Sequence, residues 1–157
     1  MLLTTSRKPS QRTRSFCQKL KKAMGCPYIN RGKMNIREIL EKAREYDEST
    51  IAIVFEKHGN PSRITFYNTM GQQIGYITIS TAIPKSLETR PTKKIKGRIG
   101  DIRLLKDLIP FEEGAGGDFW LLKPAHGKYT MILELYHGKK PTGFKIFIKK
   151  IHLEDEK

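Results

Sequence analysis

A chain of 157 residues is long enough for one ordinary domain, or for two very small ones sharing a core, and too short for a large multidomain enzyme. With 38% hydrophobic and 29% charged residues it can fill a core, which excludes a wholly disordered polymer; 13 glycines and 8 prolines exclude collagen-like or low-complexity sequence. Charge is the unusual quantity: 30 Lys and Arg against 16 Asp and Glu give a formal +14, which points to a polyanionic partner, a nucleic acid or an anionic membrane surface.

Residues 1–6 are apolar and β-branched and read as a strand. Pro9 and Ser10 break it, and Ser10 is placed to cap a helix whose apolar stripe is Phe16, Cys17, Leu20, Ala23 and Met24, ending at Gly25. Residues 26–29 read as a second short strand, followed by the turn Asn30-Arg31-Gly32-Lys33. The next start signal is strong: Asn35 as N-cap, Glu38 three residues on, and Met34 with Ile39 as a hydrophobic staple. A helix is expected from residue 36 to about 46, burying Ile36, Ile39, Leu40, Ala43 and Tyr46, with Glu38 pairing Lys42 one turn on.

Residues 50–55 form an unbroken apolar or β-branched run, the pattern of a strand covered on both sides. Residues 63–67 and 74–80 read as the strands that follow, the first of them closing a hairpin through Gly59-Asn60-Pro61. The two helices are expected on one face of this sheet. From 84 to 100 the chain turns basic, with Lys85, Arg90, Lys93, Lys94, Lys96 and Arg98 against Glu88 alone, and reads as an ordered basic crossover or a flexible basic loop. A helix over 101–109 ends at Pro110. The loop 112–117 lacks phosphate-cradle spacing, and strands are expected at 118–123, 128–136 and 143–151.

The hairpin at residues 50–67 has an echo at 130–148: each is a strand, a His-Gly…Pro turn (His58-Gly59-Asn60-Pro61, His137-Gly138-Lys139-Lys140-Pro141) and a strand. The fold class expected is α/β with mixed sheets. It forms one domain over 1–157 in two similar halves, about 1–84 and 85–153, with a short acidic tail at 154–157.

No chemistry-bearing constellation emerges. Cys17 and Cys26 are nine apart with no CxxC, the four histidines are scattered, and Asp101, Glu112, Glu113 and Asp118 surround a loop without a histidine motif. Buried, reduced cysteines, no metal, no cofactor and no catalysis are the expectation. Met1-Leu2-Leu3 passes at once into Thr4, Thr5, Ser6 and Arg7, so no signal peptide is expected; the run 51–55 is far below the ~20 residues that cross a bilayer.

The distribution of charge is more telling than its sum. Residues 1–37 carry ten basic side chains and no acid, and segregated charge of this kind collects phosphate backbone. The strongest binding candidates lie where the first strand meets the first helix: Thr5, Ser6, Arg7, Lys8, Ser10, Arg12 and Arg14. Hydroxyls, guanidinium forks and helix N–H groups there suit phosphate or ribose. Lys21, Arg31 and Lys33 extend this block, and Lys93, Lys94 and Lys96 form a second one. Tyr28, Tyr67, Tyr76, Phe119 and Trp120 are the aromatic candidates for base stacking, most of them placed as core.

The run Leu3-Thr4-Thr5-Ser6-Arg7-Lys8-Pro9-Ser10-Gln11-Arg12-Thr13-Arg14-Ser15-Phe16 resembles the opening of the Brix domain, most of all in its short archaeal members. Tyr28-Ile29-Asn30-Arg31-Gly32 and Glu56-Lys57-His58-Gly59-Asn60-Pro61 are similar to it too, whereas the second half has no strong counterpart of the basic, aromatic C-terminal motif of eukaryotic members. The resemblance implies a cytoplasmic ribosome biogenesis factor acting in rRNA processing. Its expected partners are ribosomal RNA or pre-rRNA and ribosomal or assembly proteins, and it is expected to be monomeric, without cofactor. It also implies halves that each resemble the anticodon-binding domain of class II aminoacyl-tRNA synthetases. The alternatives are a structural ribosomal or tRNA-binding protein and, behind it, a metal-dependent ribonuclease.

Overall fold

The computed structural model describes residues 1–114 and 116–154, so the expected acidic tail lies outside the described residues apart from Glu154. In chain order the elements are β1 (Leu2–Thr5), α1 (Gln11–Met24), α2 (Ile36–Glu45), β2 (Thr50–Lys57), β3 (Asn60–Asn68), β4 (Gln73–Ala82), β5 (Lys94–Lys96), α3 (Ile99–Lys106), β6 (Glu112–Glu113), β7 (Phe119–Pro124), β8 (Met131–His137) and β9 (Lys140–Leu153).

All the described strands join one mixed sheet in the order β1-β2-β3-β4-β9-β8-β7-β5-β6. On one side β1 is parallel to β2, and β3 and β4 follow as antiparallel neighbours; on the other β5 is parallel to β7, and β8 and β9 follow in the same way. The two runs meet where β4 pairs antiparallel with β9.

Alternation along the strands sorts the core into two layers. Leu3, Ala52, Val54, Ile64 and Phe66 pack with α1 and α3 in the main core, whereas Leu2, Ile51 and Ile53 point the other way, onto Ile39 and Ala43 of α2. The expectation of both helices on one face is therefore corrected: α1 and α2 lie on opposite faces. The two-sided apolar run of β2 is what permits this, since each of its faces needs a cover.

α1 forms as its signals dictate. Ser10 caps it by accepting the Thr13 N–H, and the predicted stripe of Phe16, Cys17, Leu20, Ala23 and Met24 is buried. Gly25 ends it in the left-handed region at φ +67°, its N–H donating to the Lys21 carbonyl at 2.8 Å. A side chain there would also meet Pro91, with Cβ atoms 2.8 Å apart.

Pro91 begins the contact that closes the fold. The Thr92 N–H donates to the Ala23 carbonyl at 2.8 Å, and Lys22 Nζ to the Leu87 carbonyl at 2.5 Å. Phe16 meets Phe144 of β9 at 5.7 Å between ring centroids, and Phe144 meets Trp120 of β7 edge-on at 5.8 Å. The approach to β5, seven places from β1 in the sheet, thus reaches the helix that packs on β1. The sheet curls around α1, and both runs of strands share one core.

Other expectations need correction. Residues 26–29 make only a single parallel bridge, Leu3 with Tyr28, because Pro27 has no N–H to extend the ladder. α2 buries Ile39 and Ala43 but leaves Ile36 37% and Tyr46 51% exposed, since it rests on the narrow β1–β2 edge and overhangs it. Glu38 does not pair with Lys42: its carboxylate accepts the Asn35 N–H in the capping box, and Lys42 pairs with Glu45 at 3.2 Å. The basic segment holds a short strand, β5, with Ile95 buried between exposed Lys94 and Lys96. Glu112 and Glu113 form β6 alongside it, and α3 begins two residues earlier than expected.

Candidate nucleic-acid interface

The junction between β1 and α1 is held from within the chain. After Thr5 the Ser6 N–H donates to the Val54 carbonyl at 2.9 Å, Lys8 turns at φ +54°, and Ser10 starts the helix. The Ser10 hydroxyl accepts the Thr13 N–H at 3.2 Å and donates to the Gly59 carbonyl at 2.8 Å. Glu56, on β2, accepts the Ser10 N–H at 3.0 Å and the Thr13 hydroxyl at 2.5 Å. A helix N-terminus attracts an anion, and here the chain supplies its own.

Sequence reasoning misses that carboxylate, because its partners lie more than forty residues upstream. It changes the role of the helix end. The Ser10 and Thr13 N–H groups are engaged by Glu56 and the Ser10 hydroxyl, and the Glu56 carboxylate beside them disfavours a second anion on the helix end, so the surrounding basic side chains are the better hold for a polyanion.

The Thr13 hydroxyl, then the Ser10 N–H, hold the Glu56 carboxyl below the usual glutamate range against the opposing effect of burial, with Arg14 adding to them. In the second half Asp118 plays a similar part, its side chain 6% exposed. Burial pushes its carboxyl up, but the Arg90 N–H, His137 ring and Thr89 hydroxyl together outweigh that and lower it. Asp118 so ties the basic crossover at Thr89 and Arg90 to the β8–β9 turn at His137 and Gly138.

Both carboxyls have folded pKa values below their unfolded ones, so their contribution to stability is complete above the unfolded pKa and lost as pH falls through the folded value. We expect the urea midpoint to fall as pH drops from about 5 to about 3, where carboxylates protonate. Glu56→Gln should start lower at neutral pH and lose less over that window. Parallel curves for the two chains would exclude this role for Glu56.

The thirteen binding candidates fall into distinct settings. Thr5 is fully buried, and its Oγ1 is a buried atom with no hydrogen-bond partner in the structure, so it packs β1 and does not present a hydroxyl at the surface. Ser10 is engaged as cap. Arg31 turns inward, donating to the carbonyls of Met34 at 2.9 Å and Thr5 at 3.0 Å; burial and then neighbouring Arg7 lower its pKa. It ties the Asn30–Lys33 turn to the end of β1. Ser6 is half-buried, and Arg7, Lys8, Arg12, Arg14 and Lys33 are exposed around this junction.

Lys21 is exposed at the opposite end of α1, close to Pro91, and half-buried Lys93 follows there. Lys94 and Lys96 continue along β5. A 14-residue helix is about 21 Å long, so the basic groups gather at two ends of α1 separated by roughly that span. Arg7, Lys8, Arg12, Arg14, Lys33, Lys94 and Lys96 have no carboxylate within ion-pair distance among the described residues. Of the aromatic candidates, Trp120 is fully buried, whereas Tyr28, Tyr67, Tyr76 and Phe119 are half-buried.

Among the described residues no cluster of three or more His, Cys, Asp or Glu side chains is arranged to hold a metal ion. Burial, with Cys26 nearby, pushes the Cys17 thiol up to about 12, so it stays protonated and unreactive. No described helix is long and apolar enough to cross a membrane.

Known proteins share this architecture. No protein-family model matches the chain. A probable Brix domain-containing ribosomal biogenesis protein of Methanothermobacter thermautotrophicus is 39% identical over 156 residues, covering 95% of this chain and 96% of the relative. The crystal structure of Mil, an archaeal Imp4-like protein, superposes with a TM-score of 0.88 at 38% identity, covering 98% of this chain and all of that one. A probable ribosomal biogenesis protein from Aeropyrum pernix K1, at 20% identity and a TM-score of 0.73 over 99% of this chain and 96% of its own, shares the fold. With a relative this similar along almost the whole of both chains, the protein belongs to the Brix-domain-containing ribosomal biogenesis family.

Proposed function

We propose that the chain is a non-catalytic, cytoplasmic ribosome biogenesis factor that binds ribosomal RNA or its precursor as a monomer. Exposed basic side chains at the two ends of α1 hold the phosphate backbone. The observation that carries this is the grouping of Arg7, Lys8, Arg12, Arg14 and Lys33 at a rigid strand–helix junction, in a stretch with no acid before Glu38. Their cations face solvent, while Ser10, Glu56 and Arg31 lock the backbone beneath them. Rigid positioning lowers the entropy lost on binding. Lys21, Lys93, Lys94 and Lys96 supply the second contact, about a helix length away.

The same reading takes the protein as one domain of two related halves, each like an anticodon-binding domain of class II aminoacyl-tRNA synthetases. The matching strand–helix–parallel strand order on either side of the β4–β9 seam supports it, as does the His-Gly turn in each half. Ribosomal or assembly proteins are further partners in this reading.

The test is a salt titration of binding between the purified chain and a precursor ribosomal RNA transcript. Several phosphate contacts should make affinity fall by at least about tenfold between 50 and 200 mM salt, since log K falls with log salt in proportion to the phosphates neutralised. Binding that is absent at low salt, or indifferent to salt, would overturn the proposal.

A further inference from the structure

The sheet face opposite α1 and α3 is covered by α2 only near β1 and β2. Farther along, strand alternation sends Ile77, Ile79, Ile146 and Ile148 into the core and leaves Tyr76, Thr78, Ser80 and Phe147 facing away from it, and a register shift between Thr78 and Ile79 brings Lys150 to that same outer face. Register then builds a patch. Tyr76 stands opposite His152, Ser80 opposite Phe147, and Thr78 lies between Arg63 on β3 and Lys150 on β9.

The rings are paired and bordered mainly by cations, with one carboxylate, Glu154, 3.5 Å from His152 Nε2. Tyr76 stacks on His152 at 4.9 Å between centroids, with the Arg63 guanidinium 4.1 Å and the Lys150 ammonium 5.7 Å from the tyrosine centroid. Tyr129, just ahead of β8, lies on Phe147 at 5.3 Å and donates its hydroxyl to Ser80 at 3.2 Å, with Lys128 and Lys149 within 6 Å of its ring. All four rings are half-buried rather than enclosed. Arg63, Lys128, Lys149 and Lys150 have no carboxylate within ion-pair distance among the described residues.

Charge complementarity selects the occupant. An apolar protein surface would bury these cations without partners, at a large desolvation cost. A polyanion with flat rings satisfies both features, because bases stack on aromatic side chains while phosphates meet lysine and arginine. In duplex RNA the base faces are already stacked on one another, so unpaired bases are the form that fits. We propose that this open sheet face is a second nucleic-acid site, which takes unpaired RNA bases on the Tyr129–Phe147 pair and, once the exposed Arg63 guanidinium swings from the Tyr76 ring to a phosphate, on Tyr76, while Lys149 and Lys150 also hold the backbone. The inference rests on the reading of the chain as an RNA-binding protein, but not on the strand–helix junction.

The experiment compares the full chain and its variants on a labelled oligouridine strand and on an RNA hairpin duplex at one salt concentration. Tyr76→Ala should weaken single-strand binding about tenfold, the scale of one lost base–aromatic stack, and change duplex binding less than about twofold. Tyr76→Phe, which keeps a stacking ring, should bind like the parent. Ultraviolet crosslinking of the unaltered chain to 4-thiouridine RNA should give adducts at Tyr76, Tyr129 or Phe147, a readout that needs no variant to fold. Unchanged single-strand affinity in Tyr76→Ala, equal loss on both RNAs, or adducts confined to residues 7–14 would overturn the site. Should Arg12→Glu with Arg14→Glu leave binding to both RNAs intact while Tyr76→Ala weakens single-strand binding, the junction fails and the sheet site stands; the reverse result rejects the sheet site alone.

Discussion

Replacing Trp120 with alanine is expected to remove about 3–5 kcal/mol of stability, the range for truncating a fully enclosed aromatic. The side chain has no exposed surface, meets Phe144 edge-on at 5.8 Å and Phe111 at 6.2 Å, and donates its indole N–H to the Thr92 carbonyl at 3.1 Å. Truncation opens a cavity and also leaves that buried carbonyl without its donor, which adds on the order of 1 kcal/mol or more. Domains of this size unfold with about 5–15 kcal/mol, so at least about a fifth of the margin is at stake. A denaturant midpoint shifted by less than the equivalent of about 1 kcal/mol at constant slope would contradict this account. The effect should reach binding as well. Thr92 precedes Lys93 and Lys94 and docks the crossover on α1, so loosening it should flatten the salt dependence of RNA binding.

The second large effect is on affinity. Arg12→Glu with Arg14→Glu exchanges two cations for two anions on the first turn of α1, and we expect affinity for precursor ribosomal RNA to fall by about tenfold to a hundredfold at moderate salt. The fold should survive, because both side chains are exposed and the favourable interaction of acids with the helix dipole opposes the loss of Arg14 beside Glu56. Near-parent thermal unfolding combined with weak binding is the predicted pair of results. Parent-like binding by this chain would remove the junction from the mechanism.

Elements whose signals are local are legible in the amino-acid sequence. Ser10 and Asn35 each sit one residue ahead of a helix whose cap and stripe lie within a few turns, and α1 follows its pattern at every predicted core position. The strands β2, β3, β4, β7, β8 and β9 are legible as well, because alternation and turn residues are short-range features. What escapes depends on distant partners. The apolar run at 50–55 signals two covered faces, but not that α2 takes the second one. β5 and β6 are too short to show a period, and they exist because β7 and the Lys93 backbone offer them hydrogen bonds.

The candidate site divides in the same way. Basic density over residues 1–37 is countable, and the exposure of Arg12 and Arg14 follows from helical spacing. The inward turn of Arg31 onto the Thr5 carbonyl and the closure of the α1 terminus by Glu56 join residues 26 and 46 apart in sequence. Tyr76 carries a readable signal that placing it in the core overlooks: it alternates with Ile77 and Ile79, so one face of β4 turns it outward.

The position of β9 in the sheet governs the order in which this protein can be born. It follows every other described strand, yet it lies between β4 and β8 and pairs with both. While a nascent polypeptide is still tethered to the peptidyl-transferase centre with β9 inside the exit tunnel, β4 and β8 each present a bare row of peptide groups, the kind of border that invites pairing with other chains. Maturation must therefore await release of these fourteen residues, after which a single strand insertion zips two borders at once.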